Sequence, residues 1–298
     1  MISPEAIKIK EILFKNNNLE YYLNTPLEIQ RKDWENSALD VILPEKTEIK
    51  RESYRDILME WISNETSDKQ NIILYFHGGG LTQGSCITHR KLVSHIVRVT
   101  KLPVVIHDYP LAPENPYPAA LINSEQVYLW LLGKGYKTEN IFFGGDSSGC
   151  GLALALMTRL KSKNFPLPGA AFFLSPMLDF TLSGSTMKTS RHLDPIVFEE
   201  DLEMSVKNYC NNESPYNPYI SPLFGEFEGF PPLLIQAGSC EVLLDDSKRL
   251  YNRAKASGVN VQLDVWDEMW HVFQGWAGEV PEAELSLEKI REWKDSIL

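Results

Sequence analysis

A chain of 298 residues, 43% hydrophobic and 23% charged, is long enough to bury one large core. Its net charge of -11 argues against a nucleic-acid partner, which needs a basic face, and no apolar run reaches the length of a membrane span. The four cysteines, Cys86, Cys150, Cys210 and Cys240, are far apart and form no C-x-x-C pair, so free thiols are expected and a zinc site is not.

Residues 1–40 differ in character from the rest of the chain. Pro4 to Phe14 carries isoleucines and Leu13 at helical spacing, Asn16 to Asn18 breaks the pattern, and Tyr21 to Trp34 holds a second helix after Pro26. Met1 to Asn18 has no signal-peptide apolar region, so a cytoplasmic protein is expected. The apolar residues favour a cap over the remaining chain rather than a frayed tail. From Ile42 to Ile62 two antiparallel strands are expected, at Glu48 to Arg51 and Asp56 to Ile62. Asn71 to Phe76 is a continuous apolar strand of the kind found in a sheet covered on both faces, and it runs into His77-Gly78-Gly79-Gly80.

Arg90 to Thr100 is predicted helical, Pro103 to Ile106 a buried strand and Ala119 to Leu132 a helix. Ile141 to Phe143 is the next strand, followed by Gly145-Asp146-Ser147-Ser148-Gly149 and a helical run from Cys150 to Leu160. Strand, sharp turn and helix are the context in which G-x-S-x-G presents a serine above a sheet edge. By itself the pentapeptide is equally a glycine-rich turn with a chance serine. Gly169 to Leu174 is a strand ended by Ser175-Pro176, and Thr181 to about Tyr216 is irregular, with one helix from Phe198 to Tyr209. A strand at Pro232 to Gln236, a helix from Asp245 to Ser257 with Asp245 as its cap and Gly258 as its stop, a last strand at Val261 to Val265 and a helix from Glu282 to Ile297 complete the chain. This alternation predicts an α/β domain on a mostly parallel sheet over residues 41–298, with residues 1–40 and about 181–216 forming a helical cap above the strand ends.

Ligands bind at the carboxyl ends of parallel strands. Gly78 to Gly80, Ser147, Glu241 and His271 all lie just after predicted strands there. A serine hydroxyl needs a base to become a nucleophile, histidine titrates in the right range to be that base, and a carboxylate on its far nitrogen fixes the tautomer. Backbone N–H groups in a glycine-rich loop can hold an oxyanion.

With these motifs assembled, the chain resembles the hormone-sensitive-lipase-like carboxylesterases of the α/β-hydrolase superfamily. The resemblance rests on His77-Gly78-Gly79-Gly80, on Asp108-Tyr109-Pro110-Leu111-Ala112-Pro113-Glu114, on Gly145 to Gly149, on Ser221-Pro222-Leu223 and on His271-Val272-Phe273. It covers about residue 40 to the C-terminus. It implies the α/β-hydrolase fold, Ser147 as nucleophile, His271 as base, and an oxyanion hole from the backbone of Gly79, Gly80 and Ser148, with Gly78 shaping that loop. It also implies serine-esterase chemistry on short to medium acyl esters, no metal or organic cofactor, and a homodimer as one arrangement open to the last strand. Amide, acetyl or formyl hydrolysis on the same residues, and a small-molecule receptor on a retired hydrolase scaffold, are the alternatives.

Three departures from the family pattern stand out. Ser148 comes after the nucleophile where relatives often have alanine, and Pro110 replaces the arginine of D-Y-R-L-A-P-E, removing a bracing donor. The stretch Glu241-Val242-Leu243-Leu244-Asp245-Asp246 stands where relatives carry D-P-L-x-D, so the resemblance puts Glu241 in the acid position, with Asp245 and Asp246 as rivals. Structural roles are expected for His77, Asp146, Cys150 and Glu114, the last as a partner of neighbouring backbone. His89, His95, His107 and His192 have no assigned partner. Trp266 and Trp270 flank the histidine turn, and Phe198, Leu202 and Met204 are placed to touch an acyl chain.

Overall fold

The structure, a computed structural model, describes residues 2–16 and 18–298. The break expected at Asn16 to Asn18 therefore includes one residue, Asn17, outside the described residues, as does the cap segment with Met1. Three helices open the chain: α1 (Pro4–Asn16), α2 (Leu19–Asn24) and α3 (Leu27–Leu39). The helix expected after Pro26 is α3, with Pro26 at its N-cap and Leu27 its first residue, and a short helix not expected, α2, precedes it and ends at Asn24.

Strands β1 (Glu48–Tyr54) and β2 (Ile57–Ser63) form the antiparallel hairpin, and β3 (Ile72–Phe76) is buried at every residue. Helix α4 (Cys86–Thr100) begins four residues before its predicted start. Ser85 caps it, its hydroxyl accepting from the Thr88 N–H, while Thr88 Oγ1 accepts from the Ser85 N–H at 2.9 Å. Next come β4 (Val104–His107), α5 (Ala119–Gly133), β5 (Ile141–Asp146), α6 (Ser148–Ser162) and β6 (Ala170–Leu174). The irregular region holds α7 (Thr186–Thr189) and α8 (Glu199–Cys210), and the chain closes with β7 (Leu233–Gly238), α9 (Leu244–Ala256), β8 (Val261–Trp266) and α10 (Pro281–Ile297).

The eight strands form one sheet in the order β1-β2-β4-β3-β5-β6-β7-β8. The two pairings that involve β2 are antiparallel and every other pairing is parallel. Side-chain alternation splits the core between the two faces. Leu74, Phe76, Phe143, Phe173 and Ile235 pack with α5, α6 and α9, while Ile73, Tyr75, Phe142, Phe172 and Leu234 pack with α4 and α10. A sheet buried on both faces explains why its central strands read as uninterrupted apolar runs.

The two segments outside this frame meet. Tyr22 of α2 lies against Phe198 at the start of α8, with ring centroids 6.2 Å apart. Helix α8 also reaches the glycine loop after β3, for Ser205 stands directly over Gly80.

Candidate active site

Ser147 sits between β5 and α6 at φ 50° and ψ −126°, a backbone state that costs roughly 1–3 kcal/mol for a residue with a Cβ. The Ser147 N–H donates to Leu174 O at 2.9 Å, and its carbonyl accepts from Met177 N–H at 3.0 Å, so the turn is clamped to the end of β6. Gly149 is required here, since a Cβ on it would run into the carbonyl oxygens of Phe76 and His77.

His271 lies on the turn after β8, buried, with Nε2 2.9 Å from Ser147 Oγ and Nδ1 3.2 Å from Glu241 Oε2. Glu241 has no exposed surface. Its other oxygen, Oε1, accepts from the Ser175 hydroxyl at 2.7 Å and from the Gly238 N–H. Burial alone would lower the His271 pKa. The hydrogen bond and charge of Glu241, with the charges of Asp194 and Asp146, outweigh that and hold the imidazole above its usual value.

Asp245 and Asp246 hold other parts of the chain. Asp245 accepts from the Ser185 N–H and hydroxyl at 2.6 Å and from the Thr186 N–H at 3.2 Å, so it caps the α7 segment. It does not cap its own helix, whose N-cap is Leu243 with no side-chain hydrogen bond. Asp246 is buried, accepts from the Leu178 and Asp179 N–H groups at 2.7 and 3.0 Å, and has its pKa pushed up to about 7, chiefly by burial.

In the glycine loop, Gly79 and Gly80 have φ of +111° and +65°, and their N–H groups, with that of Ser148, have no acceptor among the described residues. Gly78 is different: its N–H lies 3.3 Å from His89 Nε2. The Ser148 hydroxyl accepts from the Leu81 N–H at 3.2 Å, a tie between turn and loop that alanine would lack. His77 is stacked on Tyr109 with ring centroids 4.1 Å apart, and burial lowers its pKa to about 3, so it is a neutral packing residue. Asp146 braces the same region through Tyr75 OH at 2.9 Å and His89 Nε2 at 3.3 Å.

Three residues with no sequence motif complete the surroundings. Ser175, at φ 50° and fully buried, bonds Glu241 and also accepts from the Val272 N–H at 2.9 Å, so one hydroxyl joins the acid to the histidine turn. Asp194 accepts from the Val242 N–H at 3.1 Å, beside Glu241, and from Ile196 N–H at 3.0 Å; burial pushes its pKa up to about 6. Arg31 of α3 donates to Thr82 O and Ala112 O, each at 2.7 Å, and pairs with both oxygens of Glu114 at 2.9 and 2.8 Å. Glu114 thus partners a guanidinium first, with a backbone N–H contributing less, and both hold its carboxyl below the usual value. The only sequence signals for Ser175 and Asp194 are the prolines immediately after them; Arg31 has none.

Of the remaining candidates, Trp270 is core, Leu202 is buried in α8, and Met204 and Trp266 are half-buried. His107 is buried with Nε2 2.9 Å from Ser124 Oγ, and His192 is exposed. No group of three or more His, Cys, Asp or Glu residues among the described residues is arranged to hold a metal. No helix among them is long and apolar enough to cross a membrane.

Residues 73–275 match a family described as the alpha/beta hydrolase fold. An esterase of Acinetobacter venetianus is 39% identical over 227 residues, 76% of this chain and 75% of that protein. An acetyl-hydrolase of Streptomyces hygroscopicus is 34% identical over 229 residues, 77% and 76% of the two chains. Among solved structures, an esterase/lipase from an uncultured bacterium superposes with a TM-score of 0.94 at 34% identity over 99% of both chains. An esterase from the bacterial hormone-sensitive lipase family gives 0.91 at 35% identity over 98% of both.

Proposed function

The chain belongs to the α/β-hydrolase family, in its hormone-sensitive-lipase-like branch, and is a carboxylic ester hydrolase; on that footing we propose that Ser147 is its nucleophile, His271 its general base and Glu241 the acid that orients the base. One observation carries the reading: the hydrogen-bonded series from Ser147 Oγ through both nitrogens of His271 to Glu241 Oε2.

In this reading Ser147 Oγ attacks the acyl carbon as His271 Nε2 takes its proton. The Gly79, Gly80 and Ser148 N–H groups hold the oxyanion, each donor contributing about 3–4 kcal/mol. His271 then protonates the leaving alcohol, and the acyl group remains on Ser147. Water, deprotonated by His271, releases the acid and restores the serine. Glu241 keeps Nδ1–H facing itself, so Nε2 is the free acceptor.

The substrates in this reading are short to medium acyl esters. Residues 1–40 and about 181–216 act as the cap, and α8 comes down on the glycine loop at Ser205, which limits the room above that loop. A relative named for acetyl hydrolysis fits a short acyl group. The test is kcat/KM along a series of p-nitrophenyl esters. A maximum at short or medium chains is expected, and a value still rising at the longest chains would reject the compact cap. In the same assay Glu241→Ala loses turnover and Asp245→Ala keeps it; the reverse would reassign the acid.

A further inference from the structure

The four cysteine sulfurs do not face the same chemistry. The Cys86 and Cys150 thiols point at the backbone carbonyls of Ile106 and Leu174, each 3.5 Å away. The Cys240 sulfur receives a hydrogen bond from Lys10 Nζ at 3.2 Å, across 230 residues of sequence. No other cysteine sulfur has a charged donor among the described residues. Lys10 belongs to α1, and its side chain is only 15% exposed. The same ammonium donates to Glu268 O and Glu268 Oε2, both at 3.0 Å. Glu268 Oε2 is 4.0 Å from the Cys240 sulfur, and its side chain is 57% exposed. Thiol, amine and carboxylate therefore meet at the edge of a buried contact: Cys240 is 4% exposed, and the Glu268 carboxylate beside it is open to water.

We propose that Lys10 and Cys240 form a modification site, at which peroxide drives a covalent crosslink between the N-terminal helix and the loop that carries Glu241. In the first step peroxide transfers one oxygen to the thiol, giving a sulfenic acid and water; the sulfur is oxidised by two electrons and the peroxide is reduced. Glu268 takes a proton from Lys10. The freed amine lone pair attacks the sulfur, the S–N bond forms, the S–O bond breaks, and the oxygen leaves as water with the second amine proton. One peroxide is consumed, two waters are released, and a sulfenamide joins the two side chains. Two equivalents of an external thiol reverse it, becoming a disulfide while Cys240 and Lys10 are restored. Burial works to lower the Lys10 pKa, but hydrogen bonds to Cys240 and Glu268 outweigh it and hold the ammonium above its usual value. Crosslinking therefore accelerates as pH rises. Neither residue touches Ser147 or His271, and Cys240 immediately precedes Glu241.

The test treats the full-length protein with hydrogen peroxide, alkylates free thiols, digests it and reads peptide masses. The expected product is one species joining the Lys10 and Cys240 peptides, lighter than their sum by two hydrogens and lost on thiol reduction. The unfolding midpoint of treated protein rises and returns on reduction. Lys10→Gln and Cys240→Ser lose both signals while keeping the ester turnover of untreated protein. Recovery of Cys240 as a free thiol or a sulfinic acid, with no joined peptide, would overturn the proposal. So would the same crosslink mass in Lys10→Gln, which would mean another amine is the partner. The readout on wild-type protein is a mass, so it stands whatever either variant does to folding, and its failure is separate from a loss of turnover.

Discussion

At the scale of single residues, the proposed acid is the position most dependent on its surroundings. Glu241, Asp245 and Asp246 lie within six residues of one another, yet only Glu241 reaches His271, because the other two carboxylates are taken up by α7 and by the Leu178–Asp179 backbone. The glutamate is held by Ser175. Removing that hydroxyl with Ser175→Ala leaves Glu241 Oε1 and the Val272 N–H each short of a partner in a buried site, a loss of about 1–3 kcal/mol per group. We expect kcat to fall at least tenfold with the fold retained, read by esterase assay beside circular dichroism. Asp194 gives a sharper, signed prediction. In the proposed mechanism His271 must be neutral to accept the serine proton, so kcat/KM is expected to rise with pH through the His271 pKa. Glu241 first and Asp194 after it raise that pKa. Asp194→Asn removes one negative charge and can keep its oxygen on the Val242 N–H, at the cost of the acceptor for the Ile196 N–H, so the acid limb moves to lower pH and stability falls somewhat, while plateau kcat stays within about tenfold. An unmoved limb would mean that Asp194 only braces the loop. Residue type and position in a motif make Ser147, the glycines and His271 readable from sequence. Ser175 and Asp194 are not, because their contacts span 66 and 48 residues and are set only by the fold.

Among the elements, α3 bears on the site without touching it. Its Arg31 grips the loop after Gly80 at Thr82 O and the segment before Glu114 at Ala112 O, in the very stretch where Pro110 stands in place of an arginine. The ion pair with Glu114 is largely exposed and is worth at most about 1 kcal/mol. The grip on two carbonyls ties α3 to the loop that follows the proposed oxyanion donors. Arg31→Ala should therefore lower kcat about tenfold (~1.4 kcal/mol of barrier) with little change in KM, whereas Glu114→Gln should change neither much. Arg31→Lys should not restore the rate, since an ammonium lacks the planar fork that reaches both carbonyls and the carboxylate. Steady-state kinetics of the three variants decide it. Elements with clean periodicity read well from sequence, the buried β3 and β5 and the helix α10 above all. The N-terminus of α9 does not: an aspartate beside a helix start looks like a cap, and only the folded chain brings Ser185 and Thr186 close enough to claim Asp245.

For the molecule as a whole, one sheet carries two cores, and the site sits where the strands of its parallel part end. Stability and catalysis are thereby separable. Leu250 on α9 is fully buried against the sheet. Leu250→Ala should cost about 2–5 kcal/mol and lower Tm by several degrees, seen by calorimetry, with KM unchanged at temperatures where the variant is folded. The alternation of strands and helices makes this frame legible in advance, because a doubly covered parallel sheet imposes its pattern on the sequence. The meeting of the two segments outside the sheet at Tyr22 and Phe198 leaves no such pattern, being a contact between surfaces rather than a period. Everything proposed for the site depends on Ser147 carrying the acyl group, and that group can be trapped. With a slowly deacylated p-nitrophenyl ester, we expect a burst of one equivalent of nitrophenol per chain, an acyl adduct mapped by mass to the peptide containing Ser147, and loss of both in Ser147→Ala. An adduct on another residue, or a Ser147→Ala variant that still turns over the ester at the wild-type rate, would contradict it.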